Sequence, residues 1–534
     1  MKIVIIGGGA AGASCAARLR RLDDAADITI LEKTEETSIA SCGLPYYIGN
    51  VIAERCQMQV ASPKQFDELF NIRVKLGCEV TAIKTAEKKV TTADGAEYAY
   101  DKLVIATGAV PFVPMIKGLD SLPHFTVKNL SDADAIKAFV AGNRPQNAVV
   151  VGGGFIGVET AENLNRLGLK TSLVELGAQI LPPLDQDMVA ELQCEMRANG
   201  IDLYLSDGLA QVSADGLILN SGKKIAADMV VLAVGIRPDS AIAQAAGIKV
   251  DSRGSVITDE YMRTSAEDVY ACGDNTAVKD FVSGQYVMIA QAGPANSQGR
   301  LIADHIAGRP YPYTGTQGTG VVKVFGLTAA FTGNNEKQLQ RQGIAYEKMI
   351  IGAGSHAGYY PGAKELTLKV LFNRDGKILG AQAVGAEGAD KRIDVIAAIM
   401  RLNGTTRDLR DAELCYAPPF SGAKDPVNLI GMAIENVRDG LVTPFYGTKF
   451  TDMLVLDVRP EKMYRAAHID GAVNIPAAQI RKRLNELPKD KTIMVHCVKG
   501  YTSYVVARIL LQNGFENVLS YAGGWSFYHK QIAQ

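Results

Sequence analysis

A glycine-rich turn occurs twice in this 534-residue chain, each time between a short apolar run and a run of helix formers. The first copy runs from the apolar Lys2–Ile6 through Gly7-Gly8-Gly9-Ala10-Ala11-Gly12 into Ala13–Leu22, and then through Asp27–Leu31 to Glu32. The second runs from Val149–Val151 through Gly152-Gly153-Gly154-Phe155-Ile156-Gly157 into Val158–Leu167, and then through Thr171–Val174 to Glu175. The two turns lie about 145 residues apart, from Gly7 to Gly152. In such a turn the first glycine permits the sharp bend, the second lets backbone approach a pyrophosphate, and the third lets helix close on strand. The helix N-terminus then presents unpaired N–H groups to the negative charge. An acid about twenty positions later accepts from a ribose hydroxyl. Gly7, Gly9, Gly12 and Glu32 supply the full set, and so do Gly152, Gly154, Gly157 and Glu175. One set alone is weak evidence. Two complete sets predict two α/β domains, each holding a dinucleotide.

The rest of the composition narrows the partners. With 56 basic and 57 acidic residues the net charge is −1, so no basic field for nucleic acid is expected. No apolar run approaches the ~18 residues of a membrane span, so no membrane partner is expected. Eight cysteines without C-x-x-C spacing fit a reducing cytoplasm. No cluster has metal-ligand spacing, and no metal is expected. Leu103–Gly108, Met229–Gly235 and Val269–Asp274 are apolar runs ending at glycine or acid, and read as strands closing the two domains. From about Val321 the pattern changes to alternating strands such as Glu365–Phe372 and a helix near Asp394–Leu402, an α+β region. Residues 443–453 contain Pro and Gly and read as a linker, and Leu454 onward reads as a separate α/β unit.

One cysteine follows closely on the first nucleotide motif, in Ser38-Ile39-Ala40-Ser41-Cys42-Gly43-Leu44-Pro45-Tyr46-Tyr47, where Cys42 is the single thiol. A lone thiol has to oxidise as a mixed disulfide, a persulfide or a sulfenic acid. Cys15, Cys56, Cys78, Cys194 and Cys272 read as buried and inert.

The N-terminal glycine motif, Ala106-Thr107-Gly108 and Gly273-Asp274 together resemble the FAD site of the pyridine-nucleotide-dependent disulfide reductase family. That resemblance implies FAD in the first site, held by Gly7, Gly9, Ala10, Ala11, Gly12, Glu32, Lys33, Ser41, Val80, Thr107, Gly108, Gly273, Asp274, Pro294 and Ala295. The second site, Gly152, Gly154, Gly157 and Glu175, would hold nicotinamide. No arginine follows Glu175 within Leu176–Gln179, and a carboxylate there repels a 2′-phosphate, so NADH is favoured over NADPH. The Ser-Cys-Gly-Leu-Pro-Tyr-Tyr loop resembles that of coenzyme A-disulfide reductases. Two further segments, Ser355–Gly362 and Tyr416–Asp425, resemble the tyrosine motifs of that group. The resemblance implies a homodimer in which Tyr359, Tyr360 and Tyr416 act at the cysteine–flavin site. It also implies coenzyme A contacts from Arg18, Arg21, Ser38, Ser41, Asn296 and Lys424. The segment Ala292-Gly293-Pro294-Ala295-Asn296 is expected to open a helix towards the flavin.

The last eighty or so residues carry Asp457-Val458-Arg459, His468-Ile469-Asp470-Gly471-Ala472 and a strand delivering Cys497 to a tight loop before Tyr504–Leu511. Loop amides and a helix N-terminus there would stabilise a sulfur anion. This pattern resembles a rhodanese, with Cys497 as its sulfur carrier. It departs from that family at Thr502, where many members carry arginine, leaving Lys499 and Arg508 as nearby cations.

The expected fold is therefore α/β, in four parts. FAD-binding is expected from 1–110 with 245–320, NAD-binding from 111–244, an α+β dimerisation domain from 321–442, and an α/β rhodanese domain from 454–534. The implied activity is reduction of coenzyme A disulfide, persulfide or polysulfide by NADH. An NADH oxidase or peroxidase with a fused sulfurtransferase is the alternative, and Ala10 weighs against it because those enzymes carry histidine at that place. A pure sulfurtransferase and a nucleotide-sensing module are the remaining readings.

Overall fold

A computed structural model describes residues 1–532. Ala533 and Gln534, the last positions of the expected 454–534 domain, lie outside the described residues. The chain forms two compact units, Met1–Ile180 with Gly200–Gly318, and Leu181–Asn199 with the chain from Thr319 onward.

The first unit contains the predicted duplication. One five-stranded sheet runs in the order Val269–Ala271, Lys102–Ile105, Lys2–Ile6, Asp27–Leu31, Arg73–Lys75, with all pairings parallel. The other runs Asp202–Leu205, Lys170–Glu175, Asn147–Val151, Met229–Leu232, His124–Phe125, again all parallel. Parallel strands covered on both faces read as continuous apolar runs, and Ile3 to Ile6 and Ala148 to Val151 are all buried. Each fully buried isoleucine contributes roughly 1.5–3 kcal/mol. The likeness of the halves goes beyond the glycine turns. Each also carries a three-stranded antiparallel sheet, Val80–Lys84 with Lys89–Thr92 and Glu97–Ala99 in one, Leu209–Ser213 with Gly216–Leu219 and Lys224–Ala226 in the other.

The second unit holds an antiparallel sheet and a parallel one. The antiparallel sheet has the order Gly320–Val324, Leu327–Gly333, Ile378–Gly385, Glu365–Phe372, Glu347–Gly354. The parallel sheet has the order Thr443–Phe445, Val518–Tyr521, Thr492–His496, Met453–Asp457, Val473–Asn474. Two expectations change here. Thr443–Phe445, read as linker, is an edge strand paired with Leu519–Tyr521; an edge strand tolerates Pro444 because its outer N–H side needs no ladder partner. Leu181–Asn199, read within the 111–244 domain, belongs to the second unit. Its helix Gln186–Ala198 lies next to a buried charge cluster. There Lys369, wholly buried, reaches Asp185 at 3.0 Å and Asp187 at 2.8 Å, and also pairs with Glu336.

Candidate active site

In the first unit the glycine turn, Glu32, the cysteine loop and the Gly273-Asp274 corner line one cleft of about 500 Å³. Gly7 bends at φ +99°, and a Cβ there would sit 2.3 Å from the Ala106 carbonyl. A Cβ on Gly12 would sit 2.0 Å from the Gly7 carbonyl, so only glycine lets this helix close on the strand. The helix Ala10–Leu22 has no side-chain cap and no acid in its first turn. Its first amides therefore face the cleft without an internal partner, which suits a pyrophosphate. The second motif repeats the arrangement, with the helix Phe155–Arg166 equally uncapped.

The two acids do more than the spacing argument asked. Glu32 accepts from the Gly8 amide at 2.7 Å and from the Thr34 amide at 2.9 Å. Glu175 accepts from the Gly153 and Gly177 amides, both at 2.6 Å. Each carboxylate thus stiffens its own glycine turn, and its remaining lone pairs can take a ribose hydroxyl.

The cleft gathers most of the residues expected around FAD. Gly7, Gly9, Ala10, Ala11, Glu32, Lys33, Ser41, Val80, Thr107, Gly108, Gly273, Asp274 and Ala295 line it, together with Ser38 and Cys42. Gly12 and Pro294 do not line it. The helix Ala292–Ile306 starts at this cleft, also without a side-chain cap. Lys33 is tied to Asp239 at 2.8 Å. Ser38 is held at φ +55°, with its amide on the Gly8 carbonyl and its own carbonyl taking the Val60 amide, each at 2.8 Å. A non-glycine residue in that conformation costs free energy, which these bonds offset.

Cys42 is an exposed free thiol. Its partial burial pushes the thiol up, and the charges of Glu159 and Asp274 push the same way. Glu159 and Tyr46 are site residues that sequence reasoning missed. The Tyr46 hydroxyl donates to Glu159 at 2.9 Å. The available signal was Glu159 itself, an acid two places beyond the third glycine of the second motif.

Several expected ligands are already engaged. Arg18 pairs with the buried Asp304 at 2.6 Å, while Arg21 is exposed. The two therefore do not present equivalent free guanidinia. Asn296 accepts from the Ser14 hydroxyl. Cys15 and Cys272 are buried as expected, but Cys56 is exposed and Cys78 and Cys194 are half-buried. The expectation of five buried thiols fails because Cys56 lies in a short 3₁₀ turn, Arg55–Met58, with only Met58 buried.

In the second unit the Tyr359 and Tyr416 hydroxyls are 2.7 Å apart on exposed loops. That bond pushes the Tyr359 phenol above its usual range, so it remains a proton donor. Tyr360 is also exposed and lies edge-on to His356, ring centroids 5.6 Å apart. Lys424 is exposed beside a hollow lined by Asp411, Glu413 and Met432. Arg392 joins the two tyrosine loops from beneath. It donates to the Ser355 carbonyl at 2.8 Å and to Asp425 at 2.9 Å.

Cys497 is buried at the end of Thr492–His496, and its Sγ accepts from the Gly500 amide at 3.1 Å. Ser503 Oγ lies 3.6 Å from the same sulfur. The following helix, Tyr501–Gln512, begins earlier than expected and has no side-chain cap. The sulfur thus sits at a free helix N-terminus. The nearby cations are committed elsewhere. Arg508 donates to the Leu441 carbonyl at 2.7 Å, and Lys499 pairs with Glu365 at 3.4 Å. Thr502 is exposed.

Beside Cys497, the His496 ring is fully buried; its Nε2 lies 3.5 Å from Asp457 Oδ2, and neither ring nitrogen makes a well-formed hydrogen bond. Burial lowers its pKa from 6.5 to about 4. The unfolded imidazole takes a proton near pH 6.5 and the folded one does not. Stability is therefore intact above about pH 6.5 and falls as the pH drops towards 4, by about 3 kcal/mol in total. The only tryptophan, Trp525, lies with its ring 6.3 Å from His496. Urea unfolding followed by Trp525 fluorescence should lose midpoint between pH 7 and 4.5. His496→Gln should flatten that slope. An equal slope in both proteins would refute the assignment.

The motifs and this geometry define a flavin- and nicotinamide-binding disulfide reductase, and the chain belongs to the pyridine nucleotide-disulphide oxidoreductase family, whose profile matches residues 1–299. The dimerisation domain of the same family matches residues 319–426, and a rhodanese-like domain matches 447–531. The chain is 35% identical over 439 residues to an NAD(P)H sulfur oxidoreductase (CoA-dependent) of Pyrococcus abyssi, covering 81% of this chain and 98% of that protein. It is 34% identical over 437 residues to a coenzyme A disulfide reductase of Staphylococcus epidermidis, covering 80% and 99%. Among solved structures, reduced CoADR-RHD of Bacillus anthracis matches with a TM-score of 0.97 at 42% identity, covering 100% of this chain and 98% of that one. An NAD-dependent persulfide reductase from A. fulgidus matches with a TM-score of 0.95 at 36% identity, covering 99% and 100%.

Proposed function

We propose that this chain reduces coenzyme A disulfides and persulfides with NADH, using FAD, and that its C-terminal domain carries sulfane sulfur. One observation carries the reading: Cys42, an exposed free thiol in no disulfide, lines the same cleft as the first glycine turn. The uncapped helix Ala10–Leu22, Glu32, Thr107 and Asp274 would hold FAD. The uncapped helix Phe155–Arg166 and Glu175 would hold the nicotinamide nucleotide, and the Glu175 charge disfavours a 2′-phosphate. When bound, this pair supplies hydride transfer and a two-electron reduction of sulfur attached to Cys42.

The protein residues do the rest. The Cys42 thiolate attacks one sulfur of the substrate S–S bond. That bond breaks as the Cys42–S bond forms, and the other sulfur leaves as coenzyme A thiolate or, from a persulfide, as hydrosulfide. A phenol of the Tyr359–Tyr416 pair gives the leaving sulfur its proton. By the family resemblance this pair serves Cys42 of the partner subunit in a homodimer. Arg18, Arg21, Ser38, Ser41, Asn296 and Lys424 are proposed contacts for coenzyme A. Cys497 accepts sulfane sulfur from polysulfide as a persulfide, held by the Gly500 amide. No described helix is long and apolar enough to cross a membrane, and we place the enzyme in the cytoplasm.

NADH consumption measured with coenzyme A disulfide, coenzyme A persulfide, polysulfide and peroxide in parallel tests the reading. The sulfur substrates should sustain turnover. Turnover with peroxide alone would replace the reading by the oxidase alternative. Cys497→Ser should slow polysulfide use by about tenfold or more and leave the disulfide rate within about twofold.

A further inference from the structure

The Cys497 sulfur is held by more than its loop amide. Cys497 follows the strand Thr492–His496, and three residues on, Gly500 turns at φ +101° into the helix Tyr501–Gln512. That turn brings Ser503, in the first turn of the helix, back to the sulfur, with its Oγ 3.6 Å from Sγ. Ser503 is wholly buried. Ser520, also buried, stands behind it on the strand Val518–Tyr521, and its hydroxyl donates to Ser503 Oγ at 3.1 Å. Three buried groups thus form one chain, from Ser520 through Ser503 to Cys497.

The bonding gives the Ser503 proton two places to go. Its hydroxyl donates to the Gly500 carbonyl at 2.7 Å, while its oxygen accepts from Ser520 and from the Cys497 thiol. The Gly500 carbonyl also takes the Tyr504 amide, at 3.2 Å. It therefore keeps a partner when the Ser503 proton turns away, and no buried acceptor is stranded. The donation from Ser520 polarises the Ser503 hydroxyl and makes it a better donor. The charged groups packed round the loop are engaged elsewhere. Lys499 pairs with Glu365, Arg508 bonds the Leu441 carbonyl, and Arg459 pairs with Asp457 at 2.6 Å. His496 is neutral above about pH 4, and burial keeps the Tyr521 phenol, on the strand of Ser520, protonated.

We propose that Ser503 is a catalytic residue of the C-terminal domain: when Cys497 ionises, the Ser503 hydroxyl turns from the Gly500 carbonyl to the sulfur and, with the Gly500 amide, holds the thiolate. In the thiol, Sγ–H donates to Ser503 Oγ. On ionisation the S–H bond breaks, its electron pair stays on sulfur and its proton passes to water. The Ser503 O–H then donates to Sγ, a charge-assisted bond in place of a neutral one. The thiolate attacks a sulfane sulfur of polysulfide. A new S–S bond forms on Cys497, an S–S bond of the polysulfide breaks, and the shortened chain leaves as an anion with no net oxidation. Ser520 is the positioning residue. The inference rests on the reading of Cys497 as a sulfur carrier, but its test reads the thiol without sulfur transfer.

The test is the pH profile of Cys497 alkylation by iodoacetamide in the full-length, FAD-loaded enzyme, read by mass spectrometry of the Cys497 peptide. Ser503→Ala should move the midpoint up and slow alkylation at pH 7 by about threefold or more, because the thiolate loses a donor. Ser520→Ala should act the same way but less. Ser503→Thr keeps a hydroxyl and should restore most of the parent rate. Trp525 emission and thermal melting check that each variant is folded. An unshifted midpoint in folded Ser503→Ala would overturn the proposal, and so would a shift in Ser503→Thr as large as in Ser503→Ala. Should Ser503→Ala not fold, an unshifted midpoint in Ser520→Ala would overturn it instead. Failure of the sulfur-carrier reading would appear differently, as no uptake of sulfur by Cys497 of the parent enzyme from inorganic polysulfide while the alkylation shifts stand.

Discussion

Replacing Cys42 by serine is expected to reduce NADH-dependent turnover of coenzyme A disulfide by roughly a thousandfold or more. A serine hydroxyl cannot form a mixed disulfide, so no weaker version of the same route remains. The fold should tolerate the change, because Cys42 is exposed and forms only one wall of the cleft. FAD should therefore remain bound, and NADH oxidation with a one-electron dye that needs no thiol should continue. The two assays run side by side separate lost chemistry from lost structure. Disulfide turnover within tenfold of the parent would mean that another group cleaves the S–S bond.

The largest effect on stability is expected at Arg392. This side chain is 2% exposed and donates to Gly388, Ser355 and Asp425. Asp425 in turn accepts from Ser421 at 2.6 Å and from the Val427 amide at 3.0 Å. Ser355 begins the segment that leads to Tyr359 and Tyr360, and Ser421 to Asp425 end the one that begins at Tyr416. Arg392→Met would strand a buried carboxylate, which costs about 3–5 kcal/mol. Thermal melting should report that loss, and disulfide reduction should fall as the two tyrosines separate. Asp425→Asn on top of Arg392→Met should cost less than the sum of the single changes, because the stranded charge is gone. A loss under about 1 kcal/mol for Arg392→Met would show that the loops hold themselves.

Much of the site could be read along the chain because its parts are local. Each glycine turn, its strand and its acid fall within about thirty residues, and their spacing is set by the backbone approach they permit. The Cys42 loop and the Cys497 loop were legible for the same reason. The parts that escaped are long-range. Tyr46 and Glu159 are 113 residues apart, and each looks ordinary alone. Arg392 and Asp425 meet across 33 residues through a fold that no period in the sequence announces. The three-residue strand at Thr443 contains a proline, and its pairing with a strand over seventy residues later overrides that local signal. Arg18 was rightly seen on its helix, but its partner Asp304 lies 286 residues away.

The Cys497 loop is fastened at its own tip. The Lys499 carbonyl takes the Gly352 amide at 3.2 Å, and its ammonium reaches Glu365 on the neighbouring strand. Cys497 is thereby anchored to the same hairpin that continues into the tyrosine segment. Under the role proposed for Cys497, a carrier moored this way would work as a fixed berth, its cargo brought and fetched by something small and mobile.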